Sequence, residues 1–145
     1  MSISKIYWGG KYYPVPYENG LAGEGFAAGK ALSIQAMPDM DCSRFYVNIA
    51  KWCSGIALHF NPRFDEKCVV RNSHIDGKWG KEERQGAFPL KAGVIFDLEI
   101  KNELNAFQIL IDGEEFCSYT HRLEPCELCT IQISGDVDIL DIQLQ

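Results

Sequence analysis

Polar side chains at alternate positions stand out near the middle of the chain. His59, Asn61 and Arg63 occupy positions i, i+2 and i+4 of the segment His-Phe-Asn-Pro-Arg. On an extended strand, alternate side chains point to the same face, so these three would share one face and Phe60 would point to the other. Such a face combines hydrogen-bond donors and acceptors. The spacing therefore predicts a polar binding surface.

A second cluster of polar and aromatic residues follows. Asn72 precedes Trp79, which stands among lysines and a glycine rather than in an apolar run, and Glu82 and Arg84 come shortly after it. Glu82 and Arg84 would share a face if their segment is extended. Taken alone, His59 would be a structural histidine and Trp79 a core residue. Their occurrence in one set favours a functional interpretation of both.

The combined set fits a neutral pyranose. Each sugar hydroxyl is both a donor and an acceptor, so its recognition needs fixed groups of both kinds. An aromatic ring such as that of Trp79 can cover the C–H face of galactose. Galactose differs from glucose in its axial 4-hydroxyl. Donors and acceptors placed for that hydroxyl would be left unpaired by glucose, which predicts selectivity.

The elements that must position these residues are predicted to be strands. Alternating or apolar runs predict strands over 31–37, 45–49, 56–60, 94–100, 107–111, 114–119, 130–134 and 137–144. Asp112-Gly113 predicts a tight hairpin turn. Residues 13–30 are expected to form a long surface loop, and the best helical candidate is a short turn near 121–125. The prediction is an all-β, two-sheet antiparallel β-sandwich of the jelly-roll, concanavalin-like type, with residues 1–145 as a single domain.

Composition excludes several classes of function. The chain has 145 residues and a formal net charge of −6, which disfavours binding to nucleic acid or to anionic membranes. No apolar stretch is long enough for a membrane-spanning helix, so we expect no membrane insertion. No signal peptide is visible at the amino terminus, which predicts synthesis in the cytoplasm.

The six cysteines are expected to be free thiols, because cytosolic thiols stay reduced. Cys126 and Cys129 form a lone C-x-x-C without a second pair of ligands, so no metal site is expected. No cofactor is expected either. Of the remaining residues, Glu83 is interpreted as a solvated charge, Arg71 as facing away from the ligand or lining its rim, and His74 as a loop residue without a role.

The ordered residues closely resemble a known pattern. His59-Phe60-Asn61-Pro62-Arg63, followed by Asn72 and then Trp79-x-x-Glu82-x-Arg84, looks like the complete signature of the galectin family. The resemblance covers nearly the whole chain. It implies a metal-independent, non-catalytic lectin for β-galactosides of the lactose and N-acetyllactosamine type. It also implies glycoprotein or glycolipid glycans as partners, and an extracellular location reached without a signal peptide.

The resemblance also implies a role for each position. His59, Asn61 and Arg63 would hydrogen-bond the axial 4-hydroxyl of galactose. Asn72 and Glu82 would hold the 6-hydroxyl, Trp79 would stack on the ring, and Glu82 with Arg84 would reach the neighbouring sugar. The residues at the positions where some galectins extend the groove are Arg44 and Asn48.

Two alternatives stay open on the sequence. A glycoside hydrolase usually needs two carboxylates flanking one bond, and the polar set offers only Glu82. A sugar-free interaction module on the same fold would fit if a key residue of the set were lost, and none is. A homodimer formed through edge strands near the termini is a further expectation without a specific sequence signal.

Overall fold

Two antiparallel sheets face each other across a shared apolar core. A computed structural model describes residues 13–21, 25–51, 55–124 and 128–145. The strands are β1 (Tyr17–Gly20), β2 (Ala31–Pro38), β3 (Phe45–Lys51), β4 (Gly55–Arg63), β5 (Cys68–Ile75), β6 (Lys78–Trp79), β7 (Phe96–Asn102), β8 (Ala106–Ile111), β9 (Glu114–Thr120), β10 (Leu128–Gly135) and β11 (Val137–Leu144). This confirms the predicted all-β sandwich.

Strand order brings distant segments together. One sheet has six strands in the order β1-β10-β3-β4-β5-β6, and the other has five in the order β11-β2-β7-β8-β9. All neighbouring pairs in these sheets are antiparallel. Strand β4, which carries His59, therefore lies between β3 and β5 rather than at an edge. Its polar face meets residues from both neighbours.

Alternation along the strands builds the core. Strand β2 shows it most clearly, because Leu32, Ile34 and Ala36 are buried while the side chains between them are more exposed. Phe60 is fully buried at 0% exposure, as expected for the residue that faces away from the polar surface of β4. Burial of apolar surface at roughly 25 cal/mol per Å² is the dominant favourable contribution to folding. The apolar side chains of both sheets thus fix the backbone on which the polar face is displayed.

Most predicted strands are confirmed, and several boundaries differ. Asp112 and Gly113 have φ values of 53° and 81°, as a type I′ hairpin requires. Strand β7 begins at Phe96 rather than at Val94, because Val94 closes a turn with its N–H donating to Lys91 at 3.2 Å. The surface loop expected over 13–30 contains strand β1. The helical turn expected near 121–125 is wrong for its described part, because residues 122 and 123 form a bend and residues 121–124 contain no helix.

Four of the six cysteines lie in the described ranges. Cys42, Cys68, Cys117 and Cys129 are free thiols, whereas Cys53 and Cys126 lie outside the described residues. Burial raises the pKa of Cys42 to about 12, with Asp136 adding to the shift. In the described ranges, no helix is long and apolar enough to cross a membrane.

Candidate functional site

A cleft of about 510 Å³ lies on the six-stranded sheet, over strands β4, β5 and β6. It is lined by His59, Arg63, Val70, Asn72, Trp79, Gly80 and Glu82. Five of the predicted site residues therefore line one opening. The register explains the convergence, because His59 on β4 lies opposite Asn72 on β5, and His74 on β5 lies opposite Trp79 on β6.

Asn61 and Arg63 form a fixed unit beside this opening. Asn61 is buried and donates from Nδ2 to the carbonyl of Phe45 at 2.8 Å. Its Oδ1 then accepts a 2.8 Å hydrogen bond from Nε of Arg63. Only 16% of the Arg63 side chain is exposed, so the guanidinium is held at one orientation with part of its edge open to the cleft. Asn61 thus orients Arg63 while lying at the side of the cleft.

Asn72 lies at the bottom of the cleft with its amide oriented by its neighbours. It is 3% exposed, and its Nδ2 donates to the carbonyl of Gly80 at 2.9 Å. Its Oδ1 accepts from the backbone N–H of Ser73 at 2.7 Å and from Arg122 at 3.0 Å. Because both of these bonds need an acceptor, they fix the orientation of the Asn72 amide. The second proton of Nδ2 remains available for a ligand.

Trp79 forms one wall of the cleft. Its side chain is 51% exposed, which is unusual for a tryptophan and confirms that it is no core residue. The ring lies between two imidazoles, with centroid distances of 4.8 Å to His59 and 4.9 Å to His74. These contacts fix the plane of the indole without covering it. An exposed, fixed indole is the form of aromatic surface that a sugar ring can stack on.

A network of ion pairs closes the opposite end of the cleft. Glu82 accepts from Arg84 at 2.7 Å and from Arg63 at 3.5 Å, so the expected common face of Glu82 and Arg84 is confirmed. Glu66, on the β4–β5 loop, accepts from Arg84 at 2.8 Å and from Arg63 at 3.3 Å. The hydrogen bond from Arg84 holds the pKa of Glu66 below its usual range. The carboxylate of Glu66 is therefore held ionised by guanidinium groups.

His59 is neutral at neutral pH. Burial lowers its pKa to about 4, and the positive charge of Arg63 acts in the same direction. Its Nδ1 lies 2.6 Å from Oδ1 of Asn48, and its ring is 5.3 Å from that of Tyr46. The imidazole can thus offer the cleft a hydrogen-bonding nitrogen without a charge.

Comparison with known proteins places this arrangement in a family. Residues 16–144 match the family model described as galactoside-binding lectin. The chain belongs to that family. It is 49% identical over 143 residues to the 32 kDa beta-galactoside-binding lectin of Haemonchus contortus, covering 99% of this chain and 50% of that protein. With the protein of the same name from Caenorhabditis elegans it shares 48% identity over 143 residues, covering 99% of this chain and 51% of the relative.

The chain therefore spans about half the length of these curated relatives. A solved structure extends the likeness to the fold. The crystal structure of galectin LEC-6 from Caenorhabditis elegans matches with a TM-score of 0.87 at 30% identity, covering 93% of this chain and 94% of that one.

The two residues expected in an extended groove have different surroundings. Arg44 donates to Asp65 through Nε and Nη2 and to Glu66 at 2.8 Å, which turns its guanidinium toward the β4–β5 loop. Asn48 is 5% exposed and lies under the sheet surface beside His59. Both are thus neighbours of the cleft rather than residues that line it.

Three residues around the cleft were given no role from the sequence. His74 is a strand residue that packs against Trp79, which corrects its interpretation as a loop residue. Arg122 contacts Asn72, 50 positions away in the chain, so no local pattern could indicate it. Glu66 contacts Arg84, 18 positions away, but also Arg63, three positions away, and that short spacing is a signal that could have indicated it. Glu83, interpreted as a solvated charge, is instead half-buried in an ion pair with Arg122 at 3.1 Å.

Proposed function

We propose that this domain binds glycans with a terminal β-galactoside, such as lactose and N-acetyllactosamine, without catalysis and without a metal. The observation that carries the proposal is the cleft itself. An exposed indole faces fixed donors and acceptors from β4 and β5 around one small opening. The named relatives are β-galactoside-binding lectins, and all seven residues of the galectin pattern are present in this chain. The proposed domain comprises residues 1–145.

In the proposed pose, each residue has a defined part. His59, Asn61 and Arg63 serve the axial 4-hydroxyl, Asn72 and Glu82 the 6-hydroxyl, and Trp79 the apolar face of the ring. Glu82 and Arg84 extend toward the second sugar. The neutral state of His59 and the paired charges at the cleft's end suit a neutral ligand.

The same geometry disfavours a hydrolase. A glycosidase acid must hold a proton near neutral pH, which requires a raised carboxyl pKa. The pKa of Glu66 is lowered instead, and Glu82 accepts hydrogen bonds from two arginines. These carboxylates are suited to orient guanidinium groups and accept hydroxyl protons.

Lactose and cellobiose provide a matched pair of ligands for the test, since their non-reducing sugars differ only in the 4-hydroxyl. We expect retention on immobilised lactose, elution by free lactose, and a calorimetric affinity of about −5 to −6 kcal/mol, which is tens to hundreds of micromolar. Cellobiose should give no measurable heat at millimolar concentration. Equal binding of both, or of neither, would refute the proposal, and the second result would favour a sugar-free interaction module.

We propose the glycan partners to be glycoproteins or glycolipids. Homodimerisation is a separate proposal supported only by the edge positions of β1 and β11 among the described strands. Sedimentation equilibrium measures it directly, and a single species of 16.4 kDa across micromolar concentrations would contradict it.

A further inference from the structure

A line of hydrogen bonds crosses four neighbouring strands and ends at His59. Gln132 on β10 donates from Nε2 to Oε1 of Glu18 on β1 at 2.8 Å. Asn48 on β3 donates from Nδ2 to Oε1 of Gln132 at 3.2 Å. Its Oδ1 lies 2.6 Å from Nδ1 of His59 on β4. The four residues are direct cross-strand partners in the sheet, so the line follows the register.

The carboxylate of Glu18 at one end of this line fixes which group donates and which accepts in each hydrogen bond. The carboxylate of Glu18 can only accept, so the amide nitrogen of Gln132 must face it and the amide oxygen must face Asn48. The amide nitrogen of Asn48 must then face Gln132, and its oxygen must face His59. An oxygen at 2.6 Å from Nδ1 requires that Nδ1 carry the proton. In the neutral imidazole, Nε2 is then a bare acceptor.

We propose that Asn48, Gln132 and Glu18 are positioning residues that hold His59 as the neutral Nδ1–H tautomer, so that Nε2 is presented to the ligand as an acceptor. Asn48 then acts through His59 and does not itself contact the glycan. Its burial and the engagement of both ends of its amide support this role. The inference deepens the proposed function, because it depends on His59 meeting a ligand hydroxyl.

Asn61 also forms a side-chain hydrogen bond with His59 that raises the pKa of the imidazole, whereas the rings and charges around His59 do not impose a tautomer. The rings of Tyr46 and Trp79 lie beside it at 5.3 Å and 4.8 Å, and Asn72 is its partner on β5. The charged groups are Arg63, which lowers the pKa of His59, and Glu82, which raises it. Burial is the largest cause and keeps the pKa at about 4, so the ring is neutral at neutral pH. The position of the proton is then the variable that Asn48 controls.

This arrangement gives the ligand hydroxyl a direction. The guanidinium of Arg63 can only donate, whereas Nε2 of the Nδ1–H tautomer can only accept. A hydroxyl between them must accept from Arg63 and donate to His59. The opposite tautomer would place two donors against the same oxygen and leave its proton without an acceptor. The hydrogen bonds that run from Glu18 to His59 thus determine whether His59 can accept a proton from a ligand hydroxyl.

The tautomer can be read directly in the free protein by NMR of 15N-labelled histidine. The chain has three histidines, so the His59 signals are those lost in His59→Gln. We expect a protonated Nδ1, an unprotonated Nε2, and a titration midpoint near the pKa of about 4. Asn48→Leu should populate the Nε2–H form and weaken lactose binding about tenfold, the loss of a well-placed hydrogen bond.

Two further variants separate positioning from folding. Asn48→Asp keeps the size and the acceptor but adds a charge, so it should retain the tautomer, raise the pKa of His59 and shift the acid loss of lactose binding to higher pH. Glu18→Gln replaces a group that can only accept by an amide that can also donate. The amides of Gln132 and Asn48 can then adopt either orientation, which should give a mixture of His59 tautomers. Glu114→Gln, an identical charge change on the other sheet, is its matched control and should change neither readout.

An Nε2–H tautomer in the unmodified protein would overturn the inference. An unchanged tautomer and affinity in Asn48→Leu would overturn it as well. If Asn48→Leu does not fold, an unmoved pH profile in Asn48→Asp would have the same consequence. The Nδ1–H tautomer in a protein that binds no lactose would support the positioning role and refute the proposed ligand, so the two failures are distinguishable.

Discussion

Nη1 of Arg122 donates a 3.0 Å hydrogen bond to Oδ1 of Asn72, and so connects the segment after β9 to the bottom of the cleft. The same guanidinium donates to the carbonyl of Lys81 at 2.7 Å and to Glu83 at 3.1 Å, and lies 4.9 Å from the centre of the Tyr119 ring. Arg122 thereby holds the amide of Asn72 with its oxygen inward. The nitrogen is left to face Gly80 and the ligand.

Replacing Arg122 should therefore weaken sugar binding from outside the cleft. Arg122→Met removes the donor to Asn72 and leaves Glu83 without its ion-pair partner, and we expect lactose affinity to fall about fivefold to tenfold. Arg122→Lys keeps the charge but loses the forked geometry, so it should recover only part of the affinity. Calorimetric titration of both variants measures this. Full affinity in Arg122→Met would show that Asn72 is oriented without it.

Removing the exposed indole should cost affinity but little stability. Trp79→Ala deletes the stacking surface. By analogy with base–aromatic stacking, we expect a loss of roughly 1–3 kcal/mol of binding free energy. Because Trp79 is 51% exposed, few core contacts are lost with it. Leu104→Ala, at a side chain that is 79% exposed and distant in sequence from the cleft residues, is the control and should leave lactose affinity unchanged. Equal affinities for the two variants would exclude the stacking role.

Periodicity predicted the parts of the fold whose two faces differ in environment. Strands β2 and β8 alternate between buried and partly exposed positions, and both were evident from the sequence. Strand β5 was not, because five consecutive residues from Val69 to Ser73 are buried and the apolar alternation disappears. Arg71 makes the strand still harder to recognise, because it is a charged residue at a buried position. It is 2% exposed, packs over the ring of Phe116 and donates to the carbonyl of Val69. It faces away from the cleft, which confirms the first of the two positions expected for it from the sequence.

The candidate site was predictable where its members are close in sequence. The spacing of His59, Asn61 and Arg63 is enough to place them on one face of a strand. The contacts of Asn48 with Gln132 and of Arg122 with Asn72 join residues 84 and 50 positions apart, and depend on strand order. Strand order follows from packing of the whole sandwich, so it cannot be predicted from a short segment of the sequence.

Sugar binding should be indifferent to chelators. In the described part of the chain, no group of three His, Cys, Asp or Glu residues is placed to hold a metal ion. The carboxylates of Glu66 and Glu82 accept hydrogen bonds from arginines, which compete with any cation. We expect identical lactose isotherms with and without millimolar EDTA. Loss of binding in EDTA, with recovery in calcium, would refute this assignment of the site.

The lowered pKa of His59 predicts a pH-dependent stability. In the unfolded chain this imidazole titrates near 6.5, whereas in the folded protein its pKa is about 4. Between these values the unfolded state binds a proton that the folded state does not, so the free energy of unfolding falls as the pH drops through this window. Urea unfolding at several pH values should show that decline, and His59→Gln should reduce it. Equal slopes for the two proteins would contradict the prediction.

Neighbouring glutamates with the same change in charge provide the sharpest test of the site. Glu82 faces the cleft and accepts from Arg63 and Arg84, whereas Glu83 points the other way, to Arg122. Glu82→Gln weakens charge-assisted bonds to both arginines, so we expect about a tenfold loss of lactose affinity. Glu83→Gln perturbs only a partly exposed pair, which predicts less than about a twofold change. If titration found Glu83→Gln the more damaging, the alternation of side chains along this segment could not be the basis of recognition.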